Sequence, residues 1–61
     1  MKFKQKWYAF KVILIDKDGE KIEKIHAFNY MYEVLNFYTG MIAGGVYKDI
    51  ENIVITKLGD F

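Results

Sequence analysis

The stretch WYAFKVILIDKDGE, residues 7–20, decides the fold of this 61-residue chain. Residues 7–15 are mostly aromatic or β-branched, contain no glycine and carry a single charge, at Lys11. This composition is typical of a strand, and apolar side chains on both faces are typical of a strand inside a sheet. Asp18-Gly19 follows, and glycine accepts the positive φ that a tight hairpin turn requires. The stretch therefore predicts a β-hairpin with a central first strand, closed by either a two-residue turn or a three-residue bulged turn.

Two further strands and one helix complete the predicted order β-β-α-β. Residues 20–28 place isoleucines among charged side chains, which is typical of a more solvated strand, and His26 lies near its end. Residues 52–58 form the predicted third strand because β-branched residues occupy their centre. The whole chain, 1–61, is thus predicted as one α+β domain with a three-stranded antiparallel sheet. The remaining segments are a basic N-terminal tail (1–6), a linker (46–51) and a C-terminal tail (59–61).

The predicted helix covers residues 30–42, from an N-cap at Asn29 to a stop at Gly44-Gly45, with one glycine in the left-handed C′ position. At about 100° per residue, its apolar side chains share an arc of about 160°, wider than the stripe of about 100° that one-sided packing needs. One edge of the arc can therefore cover the sheet while the other meets a second helix. The apolar positions are Tyr30, Met31, Val34, Leu35, Phe37, Tyr38, Met41 and Ile42.

Two helix positions outside the apolar arc have consequences of their own. Tyr32 lies among polar residues on the helical wheel, so we expect Tyr32 and its neighbour Glu33 to project from the rim of any helix contact. Gly40 lies inside the helix, where it either weakens the helix by about 1 kcal/mol relative to alanine or permits close packing.

Small size and high apolar content predict a homodimer. A domain of about 60 residues buries only roughly 60% of its unfolded surface, so small domains usually need disulfides, a metal or self-association. The chain has no Cys and a single His, whereas 52% of its residues are hydrophobic. We therefore predict a homodimer through the helix. The helix residues assigned to the dimer interface are Tyr30, Val34, Phe37, Tyr38 and Met41.

The composition argues against an enzyme. The chain has no Ser or Cys to act as an acyl-transfer nucleophile, and His26 is interpreted as a strand histidine that forms a hydrogen bond or faces water. Asp16, Asp18 and Glu20 are spaced like part of a calcium loop but lack the remaining ligands and the distal Glu. We predict no catalytic residue, no metal site and no cofactor.

The sequence also predicts a cytoplasmic location without membrane contact. The longest unbroken apolar run, residues 12–15, is far shorter than the roughly 20 residues that span a bilayer. The basic N-terminus leads into no cleavage site of small residues, so it is not interpreted as a signal peptide.

A nucleic-acid interface is one alternative that the residues leave open. Near the N-terminus lysines interleave with aromatic residues, and such a surface can hold a single strand by phosphate contact and base stacking. The other interpretation is a solvated lysine tail leading into a strand whose aromatic rings pack inside. The absence of Arg and a net charge of +1 favour that second interpretation. The residues concerned are Lys2, Phe3, Lys4, Lys6, Trp7, Tyr8, Phe10 and Lys11.

Three short motifs resemble a known family. Asp18-Gly19, then His26, then Tyr32-Glu33-Val34-Leu35, in the order β-β-α-β, resemble the small uracil-DNA glycosylase inhibitors of bacteriophages that infect Gram-positive bacteria. The similarity spans residues 10–58 and includes the acidic hairpin, the late His of the second strand and the aromatic-Glu-Val-Leu run of the helix. The resemblance implies a homodimer with packed helices.

The resemblance also implies a mechanism. A uracil-DNA glycosylase inserts a leucine into the duplex as it extrudes uracil. The inhibitor dimer occupies the DNA-binding cleft and offers that leucine an apolar pocket, while carboxylates take the place of phosphates. On this chain the pocket aromatic of the family falls on Tyr32, and its neighbouring carboxylate falls on Glu33.

The chain departs from the family pattern at two positions. A second pocket aromatic of the family falls on Asn36, and Phe37 is the candidate to replace it. A strand carboxylate of the family falls on Lys24, and Glu23 or Glu20 is the candidate to replace that. The net charge of +1 is a further departure, because DNA mimicry needs a locally acidic face.

The function expected from these observations is inhibition of a host uracil-DNA glycosylase in the host cell cytoplasm. The partner-binding residues are Tyr32, Glu33, Asn36, Phe37 and Glu23. The alternatives are a small nucleic-acid-binding module using the Lys/aromatic N-terminal segment, and a homodimeric phage protein that binds another host factor.

Overall fold

The computed structural model describes residues 6–60, which form three antiparallel strands and one helix. In chain order these are β1 (Tyr8–Asp16), β2 (Lys21–Phe28), α1 (Met31–Ala43) and β3 (Ile50–Asp60). The strand order in the sheet is β2-β1-β3, and both pairings are antiparallel. The predicted α+β fold, its element order and the central position of the first strand are confirmed.

The helix packs on one face of the sheet, and the core lies between them. Phe10, Val12 and Leu14 alternate along β1 and are buried under α1, because side chains two apart on a strand share a face. From the helix, Val34 and Tyr38 complete the core. The odd-numbered residues of β1 point to the opposite face, which α1 does not cover.

The hairpin uses the three-residue bulged turn, the second of the two alternatives that the sequence left open. Residues 17–19 form the loop, and the Asp16 N–H donates to the Glu20 carbonyl at 3.0 Å. Gly19 has φ +82°, a left-handed conformation in which a Cβ is strained. The Asp16 carboxylate accepts the N–H groups of Asp18 and Glu20, both at 2.9 Å, so it is used to hold the turn.

The helix begins one residue later than predicted, because a different residue provides the cap. Tyr30, and not Asn29, is the N-cap residue, since the Glu33 carboxylate accepts the Tyr30 N–H at 3.2 Å. The Asn29 side chain instead donates to the Lys6 carbonyl at 3.0 Å and ties the helix start to the beginning of β1. Sequence reasoning chose Asn29 because asparagine is a preferred N-cap residue type. In the structure the Asn29 side chain is already hydrogen-bonded to Lys6, so it does not cap the helix.

The helix ends at Ala43, one residue beyond the predicted 42, and the predicted stop with a glycine in the left-handed C′ position is confirmed. Gly45 has φ +82° and donates its N–H to the Ile42 carbonyl, while the Val46 N–H reaches the Met41 carbonyl at 2.9 Å. This pair of bonds satisfies the Met41 and Ile42 carbonyls, which have no partner within the helix.

The third strand is longer at both ends than the predicted 52–58. It begins at Ile50, and it continues through Gly59 and Asp60, which were predicted as part of a tail. The extension follows from the pairing with β1, because Ala9 and Tyr8 pair with Gly59 and Asp60. Leu58 is the extra residue of a β-bulge between Lys57 and Gly59. The predicted N-terminal tail lies mostly outside the described residues. Its last residue, Lys6, forms an exposed ion pair with Asp60 at 3.4 Å.

Gly40 provides a test of helix stability. A Cβ at this position would meet no atom within 4 Å, so close packing within the chain does not require the glycine. We expect Gly40→Ala to stabilise the fold by about 1 kcal/mol, which raises the melting temperature by about 4–8 °C. Gly19→Ala is the matched control, and we expect it to destabilise because its φ is left-handed. Thermal unfolding followed by circular dichroism measures both, and a lower melting temperature for Gly40→Ala would contradict this account.

Candidate functional site

The inner side of the helix is fully used by the core. Val34 is 0% exposed and Tyr38 is 1% exposed in the single chain, where both pack against the sheet. Their predicted place in a dimer interface is therefore corrected: they belong to the core and have no surface to offer a second copy. Of the other residues in that prediction, Tyr30 and Phe37 are exposed and Met41 is half-buried.

An aromatic cluster joins the helix to β2. The Tyr38 hydroxyl is hydrogen-bonded to His26 Nε2, which confirms the interpretation of His26 as a strand histidine with a hydrogen bond. The Phe37 ring lies 5.9 Å from His26 and 5.7 Å from Phe28, measured between ring centroids. The cluster fixes one edge of Phe37, while 44% of this residue stays exposed.

Burial raises the pKa of the Tyr38 hydroxyl above its ordinary value of 10.0, and the nearby Tyr47 adds to the rise. The unfolded chain therefore ionises Tyr38 at a lower pH than the folded chain does. The stability from this group is fully present below pH 10.0 and is lost as the pH rises through the folded-state pKa.

We expect the urea midpoint of unfolding to fall as the pH rises above 10. In Tyr38→Phe the fall should be smaller, because no ionisable group remains at this position. Urea titrations across this pH range, with tyrosinate absorbance as a second readout, measure the difference. An equal fall in both proteins would show that Tyr38 does not govern the alkaline transition.

The outer side of the helix carries four of the five predicted partner-binding residues, Tyr32, Glu33, Asn36 and Phe37. At about 100° per residue, these side chains and Gly40 share an arc of about 140°, on the solvent side and toward β2. Tyr32 is 60% exposed, as its position on the helical wheel predicts, and its ring stacks on Tyr30 at a centroid distance of 5.4 Å. We call Tyr32, Glu33, Asn36 and Phe37 the helix patch.

Two properties of the helix patch follow from its place on α1. Glu33 is half-buried and caps the helix through the Tyr30 N–H, so its carboxylate is held close to the stacked tyrosines. Gly40 lies one helical turn after Asn36 and Phe37, on the same side of the helix. A Cβ added at Gly40 would meet no other atom within 4 Å. The described part of the single chain has no preformed pocket. The patch is therefore an exposed aromatic surface, with a gap at Gly40.

The structure does not bring Glu23 to the helix patch. Glu23 pairs with Ile13 on β1, so its side chain lies on the sheet face away from the helix. There it forms an ion pair with Lys11 at 3.7 Å. Glu23 and the four helix residues therefore lie on different surfaces of the chain, and the assignment of Glu23 to partner binding stays a prediction. Glu20, the other candidate, lies opposite Asp16 where the hairpin closes, and its N–H donates to the Asp16 carboxylate.

The N-terminal Lys/aromatic segment is only partly available for stacking on bases. Phe10 is 1% exposed and belongs to the core, while Lys57 Nζ lies 3.7 Å from the centroid of the Tyr8 ring. Trp7 is 48% exposed, and Lys11 is engaged with Glu23. The predicted contributions of Lys2, Phe3 and Lys4 lie outside the described residues.

Sequence reasoning missed one exposed apolar surface. The sheet face away from the helix includes Ile25 and Val54, which are 61% and 44% exposed. The signal was present in residues 12–15, where consecutive apolar residues place side chains on both faces of β1. It indicated a strand covered on both sides, but α1 is the one helix between residues 6 and 60, and it covers only one face.

Between residues 6 and 60 no group of His, Asp or Glu side chains is arranged to hold a metal ion. No helix in that range is long and apolar enough to cross a membrane. Comparisons of the chain with models of protein families, with curated proteins and with solved structures found no match.

Proposed function

We propose that this protein binds and inhibits a uracil-DNA glycosylase. The observation that supports this most is the position of Tyr32, which is exposed on a helix fixed to the sheet and stands next to the Glu33 carboxylate. The resemblance to phage-encoded inhibitors assigns the contact with the enzyme to these two residues. The observed order β-β-α-β agrees with the order in which the resembling motifs occur.

The mechanism that we propose is occupation of the DNA-binding cleft. Aromatic residues are frequent anchors of protein contacts, because they bury a large area with little loss of side-chain freedom. The leucine that the enzyme inserts into DNA would contact the rings of Tyr32 and Phe37. Since the single chain has no preformed pocket, these exposed rings would close around the leucine on binding. Glu33 would face basic groups of the cleft that otherwise bind phosphate.

The near-neutral charge of the chain limits what electrostatics can contribute. With a net charge of +1, long-range attraction to a basic cleft is weak, so apolar burial has to supply most of the affinity. Inhibition should consequently depend little on ionic strength. This behaviour distinguishes the proposed inhibitor from a protein that binds DNA through phosphates.

The test is a uracil-excision assay with a purified glycosylase and a uracil-containing oligonucleotide. Increasing amounts of the chain should give stoichiometric inhibition that persists when undamaged competitor DNA is added. Inhibition that competitor DNA relieves would instead indicate that the chain sequesters the substrate. Absence of inhibition at a large excess of the chain would reject the proposal.

A nucleic-acid-binding module is the second candidate, and the exposure of Trp7 beside Lys6 favours it. Both side chains are exposed at the start of β1. This function would show strongly salt-dependent binding to single strands, because phosphate contacts release counterions. Trp7→Ala would then abolish binding, whereas Tyr32→Ala would leave it unchanged. A third function, binding of another host protein through the same helix patch, would give no effect in either assay.

A further inference from the structure

We propose that two copies of this chain pack sheet to sheet, through the face of the sheet that the helix does not cover. We call this surface the open face. The side chains on it follow from the strand register, because each paired position points to the same side as its partner. Its residues are Ala9, Lys11, Ile13 and Ile15 on β1, Lys21, Glu23, Ile25 and Ala27 on β2, and Asn52, Val54 and Thr56 on β3.

The open face is too apolar for a surface that remains in water. A solvated antiparallel sheet normally presents polar side chains on its outer face. Here the middle strand presents two isoleucines, and each edge strand adds an exposed branched side chain at Ile25 or Val54. At one end of the face, Ala27, Ala9 and Gly59 form a cross-strand row of small residues. Such a row lets a second sheet approach closely.

The charges of the open face suit a second copy of the same chain. A two-fold interface must be complementary to itself, so it needs charges of both signs on one surface. Lys11 and Glu23 supply one of each near the middle of the face, with Lys11 Nζ 3.7 Å from Glu23 Oε1. The third charge, Lys21, is exposed at the hairpin end of the face. In a two-fold pair, Lys11 of one copy can face Glu23 of the other, so neither charge is buried alone. Two sheets stacked about 10 Å apart would then form a four-layer α/β/β/α dimer.

This arrangement differs from the helix-to-helix dimer that the resemblance implies. Val34 and Tyr38 are already buried within one chain, which removes two of the five residues assigned to that interface. A sheet-to-sheet dimer leaves both helix patches on the outside, facing away from each other. If the proposed function holds, each chain of the dimer can then bind its own enzyme molecule.

The test compares two substitutions at positions of equal exposure. Val54 on the open face and Leu35 on the helix are both 44% exposed, so a lysine at either position is tolerated by an isolated chain. In sedimentation equilibrium at micromolar concentrations we expect the wild type to have twice the chain mass of 7.2 kDa. Val54→Lys should raise the dissociation constant of the dimer about 100-fold or more, because it buries an unpaired charge. Leu35→Lys should leave it unchanged.

A wild type that is monomeric at millimolar concentration would overturn the proposal, as would a dimer that survives Val54→Lys and dissociates with Leu35→Lys. If Val54→Lys does not fold, the wild type provides the second measurement. In a mixture of isotope-labelled and unlabelled chains, we expect intermolecular NOEs between the methyl groups of Ile13, Ile15 and Val54. A dimer whose intermolecular NOEs come only from helix residues would contradict a sheet-to-sheet interface. None of these outcomes depends on the glycosylase.

Discussion

Tyr32→Ala is expected to abolish inhibition of the glycosylase while leaving the fold intact. The ring is 60% exposed and contacts Tyr30 on the surface, so its removal opens no cavity in the core. As an exposed aromatic residue of the helix patch it has the properties of a hot-spot residue, whose truncation typically costs about 2–4 kcal/mol of binding free energy. This corresponds to a loss of affinity of about 30-fold to 1,000-fold. The concentration of chain that gives half-maximal inhibition measures it directly.

Val46→Ala is the matched control for Tyr32→Ala. Val46 is 65% exposed and lies just beyond the opposite end of the helix, outside the helix patch. We expect this variant to inhibit like the wild type, and circular dichroism should show the same melting temperature for both variants within a few degrees. If Tyr32→Ala inhibited normally, the helix patch would not be the contact surface, whatever the activity of the wild type.

Tyr38→Ala, six residues along the same helix, is expected to have the opposite effect: it should unfold the protein. The side chain is 1% exposed, bonds to His26 and packs beside Phe37 and Tyr47. Removal of a buried aromatic ring costs about 3–5 kcal/mol. A domain of this length has a total stability of roughly 3–9 kcal/mol, so most or all of it would be lost. Loss of the cooperative transition in thermal or urea unfolding measures the effect.

Tyr38→Phe separates the ring from its hydroxyl group. This variant keeps the packing and loses one hydrogen bond, which costs about 1 kcal/mol and lowers the melting temperature by about 4–8 °C. Tyr38→Phe should remain folded, and at saturating concentration it should inhibit the enzyme as completely as the wild type does. If Tyr38→Phe were as unstable as Tyr38→Ala, the hydrogen bond to His26 would dominate, and the packing argument would be wrong.

The sheet and its hairpin could be predicted because local signals and tertiary structure agree there. The β-branched run before Asp18-Gly19 specifies a strand and a turn within a few residues of chain, and the helix stop at Gly44-Gly45 is equally local. The exposure of Tyr32 also followed from the helical wheel alone. Each of these features depends on residues that are close in sequence.

The features that sequence reasoning missed depend on distant partners. Asn29 has the better side chain for an N-cap, but it bonds to Lys6, and Glu33 caps the helix instead. The extension of β3 depends on free ladder positions of β1, about 50 residues earlier in the chain. The side chain of Glu23 lies on the sheet face away from the helix because of the hairpin register. The sequence left this register open, and the bulged turn determines it.

Calorimetric titration of the chain into the purified enzyme without DNA tests whether the helix patch binds a uracil-DNA glycosylase directly. Our account predicts saturable binding of the wild type and of Val46→Ala, and little or no binding of Tyr32→Ala. Enzyme already saturated with an uncleavable DNA substrate should bind the chain more weakly, because both occupy one cleft. Absence of binding by the folded wild type, or equal binding by Tyr32→Ala, would contradict the account.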